Sequence, residues 1–133
     1  MALLGLERAV LRPLLSLARP QAGERALDVG CGTGLLLRLL ADSEERVALA
    51  GVDLDPAMIA RARRRVPEVA LCVASATALP YPDDRFDLLT STFVLHHLDP
   101  AGQHAALVEA RRVLRPGGRL VLVDFGPPRT PLG

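Results

Sequence analysis

Cysteine is scarce in this 133-residue chain, which has only Cys31 and Cys72. They fall on a loop signal and a strand signal and are too few for a disulfide framework, so a reducing compartment is expected and the cytoplasm fits best. Long apolar runs are missing too. Charged residues interrupt each of them well short of roughly 18 residues, so neither a transmembrane span nor a membrane partner is expected. Charge of one sign is not in excess: a net charge of +1 at pH 7 gives no basic face for phosphates, and no nucleic-acid partner is expected. The one basic cluster, Arg61, Arg63, Arg64 and Arg65, reads as solvated helix surface. There are no internal repeats and no low-complexity tracts, no metal site is expected, and the length suits one domain with a single core.

What the chain does have is alternation. Apolar runs predict strands at 25–29, 47–52, 69–73, 86–90 and 119–124, and helical spacing predicts helices at about 34–41, 56–66 and 101–114. Pro56 opens one helix, and Pro116-Gly117-Gly118 closes another. A run such as Leu120-Val121-Leu122-Val123 is apolar at every position, which means burial on both faces. The expected class is therefore α/β, a doubly wound, Rossmann-like, mostly parallel sheet with helices on both faces. Residues 23–125 carry that fold and 126–133 read as a loop-like tail. Ahead of them, residues 1–22 hold an amphipathic helix around Glu7, Arg8 and Arg12, one reading of which is an organellar targeting segment.

Asp28-Val29-Gly30-Cys31-Gly32-Thr33-Gly34 lies between the first strand and the first helix of the alternating pattern. Nineteen residues after Gly34, a second apolar run ends in Asp53, where the neighbouring strand of such a sheet presents a carboxylate to a ribose. The pair reads as a site for an adenosine-containing cofactor. A dinucleotide fingerprint, G-x-G-x-x-G, would need a small residue at position 35 or 37, and both are Leu. Asp28 also puts negative charge beside the backbone N–H groups that a pyrophosphate would use, whereas an ammonium group would be favoured there. The plain alternative is a tight turn in which Asp28 satisfies orphan N–H groups. That leaves Asp53 at the strand end unexplained. Asp87 and Glu109 have structural readings, Glu109 as the partner of a nearby Arg.

The loop resembles that of class I S-adenosylmethionine-dependent methyltransferases of the small-molecule, methyltransferase type 11-like kind. The similarity continues through Gly51-Val-Asp-Leu-Asp-Pro-Ala-Met58, Ala78-Leu-Pro-Tyr-Pro-Asp-Asp-Arg-Phe-Asp87, Glu109 and Arg112-Val-Leu-Arg-Pro-Gly-Gly118, covering about residues 25–125. The resemblance implies S-adenosyl-L-methionine as cofactor, bound by Asp28, Gly30, Cys31, Gly32, Gly34, Asp53, Leu54, Ser75, Ala76 and Ser91. Asp53 would hold the ribose hydroxyls and Leu54 would pack on adenine. Ser75 stands where the family usually has an acid for the adenine amino group. Leu95-His96-His97 matches the family's Leu-x-His, which makes His97 the catalytic candidate as a base, with His96 and His104 structural. The helix in 1–22 would be the family's lid.

The implied activity is methyl transfer to a small-molecule O, N or C nucleophile. The alternatives are a non-catalytic S-adenosylmethionine-binding module or truncated methyltransferase and, further off, an NAD-dependent oxidoreductase. The family fold continues past the fifth strand with antiparallel strands, whereas 125–133 reads as a loop that stops, so those strands are expected to be lacking. With the family's strand order the fifth strand becomes an edge of apolar side chains, and self-association through it is expected.

Overall fold

The computed structural model describes residues 5–124. Five runs form one sheet in the order β3-β2-β1-β4-β5, with β1 at Arg25–Val29, β2 at Ala48–Asp53, β3 at Ala70–Val73, β4 at Phe86–Thr92 and β5 at Leu114–Val123. All four neighbouring pairs are parallel, and among the described residues no antiparallel strand joins the sheet. The helices are α1 at Arg12–Ala18, entered through a wider π-type turn at Glu7–Leu11, α2 at Leu35–Ala41, α3 at Pro56–Arg65 and α4 at Pro100–Val113.

Strand alternation sorts the apolar side chains into layers. On one face Leu27, Val29, Val52 and Leu89 pack with Ala110 and Val113 of α4. On the other, Ala26 and Leu88 pack with Leu11, Leu14 and Ala18 of the N-terminal helix and with Leu36 and Leu40 of α2. Ile59 of α3 packs against Leu37 and Val66 beside α2. Each fully buried Leu in these layers contributes about 1.5–3 kcal/mol relative to exposure. Two of the helix starts are set locally. Asp55 accepts from the Ala57 N–H ahead of Pro56, and Asp99 from the Gly102 N–H ahead of Pro100, each cap adding about 1 kcal/mol.

The N-terminal helix shares the core of the sheet. Arg119 secures its end, donating to the Ala18 and Arg19 carbonyls and, through two nitrogens, to the Glu24 carboxylate at 2.8 Å. The Arg119 guanidinium holds the Glu24 carboxyl below its ordinary range.

The fifth strand differs from expectation, because it starts at Leu114 and not at 119. Leu114 pairs with Phe86 and Arg119 with Leu88, so residues 115–118 form a bulge within the strand. Gly117, at φ 81°, supplies the left-handed bend, so the Pro-Gly-Gly sequence is a bulge and not the end of α4. Asp87 braces the bulge, accepting from the Arg25 N–H at 2.8 Å and from the Arg115 guanidinium. Those bonds, the one from Arg25 first, keep its carboxyl below the usual range. Along β5, Val121 and Val123 pack toward the N-terminal helix, whereas Leu120 and Leu122 are 37% and 36% exposed. Among the described residues β5 pairs only with β4. The tail at 126–133 lies outside the described residues.

Candidate functional site

The C-terminal ends of β1, β2 and β4 meet in one place, and hydrogen bonds from the strand ends shape the loop after β1. Gly30 and Cys31 donate their N–H groups to the Val52 carbonyl at 2.8 and 2.9 Å. The Asp53 carboxylate takes the Gly32 N–H on one oxygen and the Asp55 N–H on the other, both at 2.9 Å. Asp53 therefore anchors the loop as well as facing the cleft, and a carboxylate has lone pairs enough for further donors. Gly30 has φ 75° and no space for a side chain, since a Cβ there would overlap the Val94 Cγ2 methyl. The far end of the loop is tied down by Arg65, which donates to Thr33 Oγ1 at 3.0 Å. Arg61, Arg63 and Arg64 are exposed, so of the basic cluster Arg65 departs from the solvated reading.

A cleft of about 400 Å³ opens beside this loop, a size suited to a small ligand. Of the residues singled out in the sequence, Gly30, Asp53, Leu54, Ser75, Ala76 and His97 line it. Leu54, at the start of the loop after β2, is 71% exposed, a large apolar surface placed for a flat partner. The Ser75 hydroxyl is engaged in its own turn with Thr77, at 2.8 Å to the hydroxyl and 3.1 Å to the N–H. Ser91 lines a neighbouring apolar crevice with Leu107, Leu120 and Leu122. Met58, Thr92, Phe93, Val94 and Leu98 also line the cleft and were not singled out. Met58 had a signal in the helix opened by Pro56, whose first turn faces back to the strand ends. Phe93 had none.

Asp28 lies beneath the loop with 2% exposure, its Oδ1 accepting from Thr90 Oγ1 at 2.8 Å. Burial raises its carboxyl from 3.8 to about 7; the Thr90 hydroxyl opposes the rise and the Asp53 charge adds to it. Burial, followed by the charges of Asp28 and Asp53, pushes the Cys31 thiol up to about 12, so it is not a nucleophile near neutral pH. Gly32 and Gly34 shape the loop at φ 55° and 87°.

After β4 the chain turns sharply at Phe93, a non-glycine residue at φ 59°. A 3₁₀ turn, Leu95–His97, follows, held by the Gln103 side-chain amide, which donates to the Leu95 and Leu98 carbonyls at 3.0 and 3.2 Å. His97 faces the cleft, and its ring centroid lies 3.8 Å from that of His96. His96 meets Asp124 at the end of β5, with Nδ1 2.8 Å from Oδ1 and its backbone N–H donating to Oδ2 at 3.3 Å. Among the described residues no group of three His, Cys, Asp or Glu is placed to hold a metal ion.

Comparison with known proteins gives this arrangement relatives. A family described as "Methyltransferase domain" matches residues 27–122. The chain is 40% identical over 125 residues to a demethylmenaquinone methyltransferase of Beutenbergia cavernae, covering 94% of this chain and 50% of that protein. It is 39% identical over 127 residues to a malonyl-[acyl-carrier protein] O-methyltransferase of Halorhodospira halophila, covering 92% and 42%. In structure it resembles the YcgJ protein of Bacillus subtilis with a TM-score of 0.80 at 33% identity, covering 94% of this chain and 54% of that one. The chain thus spans about half the length of the curated relatives it matches.

Proposed function

Because the chain belongs to the methyltransferase domain family, we propose that it transfers a methyl group from S-adenosylmethionine to a small-molecule O, N or C nucleophile. The observation that carries this reading is the pairing of Asp53 with a glycine loop that lies over a second, buried acid, Asp28. Two carboxylates around one loop suit a ribose diol and a cationic amino-acid group, and they oppose a pyrophosphate. The residues fit the cofactor in kind. Asp53 accepts from ribose hydroxyls, Leu54 and Met58 give apolar cover to a purine, and Gly30 allows close approach of the backbone. The field of Asp28 favours positive charge above the loop.

When bound, the cofactor supplies a methyl carbon made electrophilic by its sulfonium. The protein's part is to hold an acceptor in line with that carbon, and positioning alone is worth on the order of 7–11 kcal/mol. His97, Thr92 and Phe93 line the side of the cleft nearest β4, where an acceptor approaches. The name of the demethylmenaquinone methyltransferase relative supports a small-molecule acceptor. The N-terminal helix, packed into the core on the sheet face away from α4, serves as a fixed wall of the unit at 23–125, and none of its described residues lines the cleft. No helix among the described residues is long and apolar enough to cross a membrane, and a cytoplasmic site of action fits that. The exposed Leu120 and Leu122 beside the edge of β5 support self-association through that strand.

Calorimetry with S-adenosylhomocysteine and NAD tests the cofactor, and transfer of labelled methyl to a panel of small acceptors tests the reaction. Binding of NAD in preference to S-adenosylhomocysteine would overturn the reading.

A further inference from the structure

We infer that Arg65, at the end of α3, is a positioning residue for the cofactor: through Thr33 it holds the loop after β1 in its binding shape, and with it the Asp53 carboxylate that faces the cleft. This rests on the methyl-transfer reading above. The Arg65 guanidinium donates to Thr33 Oγ1 at 3.0 Å. Among the described residues that is its one side-chain hydrogen bond, and it forms no ion pair. Arg61, Arg63 and Arg64 are exposed, whereas Arg65 is half-buried, so its charge serves neither solvation alone nor a surface salt bridge. The hydroxyl it meets is well placed to be held. Thr33 stands between Gly32 and Gly34, both left-handed at φ 55° and 87°, and glycine backbone is the freest to leave such a shape. Thr33 is the position between them where a side chain can fix it.

The tether is firm at both ends. The last turn of α3 packs on the loop, where a Cβ at Gly34 would lie 3.3 Å from Val66 Cγ2 and 3.4 Å from Ala62 Cβ. The Arg65 carbonyl accepts from Arg38 of α2 at 3.0 Å, and Arg38 is itself bound to Asp42 and Glu68, each at 2.8 Å. Because α2 begins directly after Gly34, the loop, α2 and the end of α3 form a circuit that the Arg65–Thr33 bond closes. Thr33 adjoins Gly32, whose N–H fixes one oxygen of Asp53 at 2.9 Å, so the tether aligns Asp53 before any ligand arrives. Without it the empty loop samples other shapes and must be ordered during binding. Ordering the backbone of one residue at that stage weakens a ligand by roughly 5- to 30-fold. The two ends of α3 thus serve one ligand differently: Met58 in its first turn lines the cleft, and Arg65 in its last lines no part of it.

Calorimetric titration of S-adenosylhomocysteine into the 133-residue chain tests the tether, with far-ultraviolet ellipticity to establish that each variant is folded. Arg65→Met keeps the apolar stem and removes the donors, and Thr33→Val keeps the shape and removes the acceptor. Each should weaken S-adenosylhomocysteine by roughly fivefold or more, and the double variant should be no weaker than the weaker single, because both break the same bond. Thr33→Ser, which retains the hydroxyl, and Arg64→Met, which removes the same charge from an exposed neighbour, should each stay within about threefold of the parent. A loss below about threefold in either folded tether variant, additive losses in the pair, Thr33→Ser as weak as Thr33→Val, or an equal loss in Arg64→Met would each overturn the inference while the parent still binds. Failure of the parent itself to bind S-adenosylhomocysteine would overturn the methyl-transfer reading, and the inference with it.

Discussion

Replacing Asp28 with Asn is expected to favour the folded chain progressively more, relative to the parent, as pH rises from about 4 to about 8. The carboxyl is raised from 3.8 to about 7 by burial, so the native state holds its proton more tightly than the unfolded state. A carboxyl shifted in this direction contributes stability that is complete below about pH 4 and is lost as pH rises to about 7. At about 1.4 kcal/mol per tenfold change in proton affinity, the full loss is about 4 kcal/mol. Asn keeps the shape and an oxygen to accept from Thr90 Oγ1, but its amide hydrogens need acceptors and cost about 1–3 kcal/mol where none is found. That cost is the same at every pH, so the part that changes with pH isolates the carboxylate. Urea unfolding at pH 4 and pH 8 measures it by far-ultraviolet ellipticity, since the chain has no Trp. The advantage of Asn over Asp should grow by about 2–4 kcal/mol between the two. Parallel pH profiles for parent and variant would refute the burial account. The same substitution should weaken S-adenosylmethionine more than adenosine, which lacks the amino-acid tail, so stability gained would come with affinity lost.

Three further outcomes are expected. Asp53→Ala removes the acceptor for two backbone N–H groups as well as the group facing the ribose, and calorimetry should show S-adenosylhomocysteine weakened by about 1.5–3 kcal/mol; unchanged affinity in a folded variant would remove Asp53 from the site. Gly30→Ala should destabilise by about 2–4 kcal/mol through its left-handed backbone and the overlap with Val94. Adding Val94→Ala should recover at least about 1 kcal/mol of this, whereas strict additivity would deny the contact. Sedimentation at rising concentration should show association that Leu120→Lys reduces; a clean monomer for both would mean that the β5 edge is covered. Val121 is unsuitable for that test, because its side chain packs toward the N-terminal helix.

The sheet was largely legible because apolar strands bounded by Gly, Pro and Asp carry strong local signals. β1 was read at its observed bounds, β2 within one residue and β4 two residues short at its end. The start of β5 was not, because Pro116-Gly117-Gly118 has the composition of a turn and only pairing with β4 makes it a bulge. The π-type turn at Glu7–Leu11 has no local signature. The loop and Asp53 were legible from spacing. The carboxylate at His96 was not, since 28 residues separate it from Asp124 and only the register of β5 beside β4 brings them together. Nor does sequence show that Asp53 spends both oxygens on backbone N–H groups, because that depends on how the loop folds back over β2.

Gly30 and Val94 compete for one small volume, and this limits how the chain can change. The glycine loop after β1 and the turn that carries the two histidines are packed against each other, so they are not separable modules. A library that varies residues 93–98 to reach new acceptors will show epistasis with position 30, and a gain in acceptor range will arrive with an altered cofactor affinity. A smaller residue at 94 opens sequence space at 30, and a glycine held at 30 leaves 94 free to remain branched. A change at residue 94 in this fold is in that respect tied to position 30, on the other side of the contact.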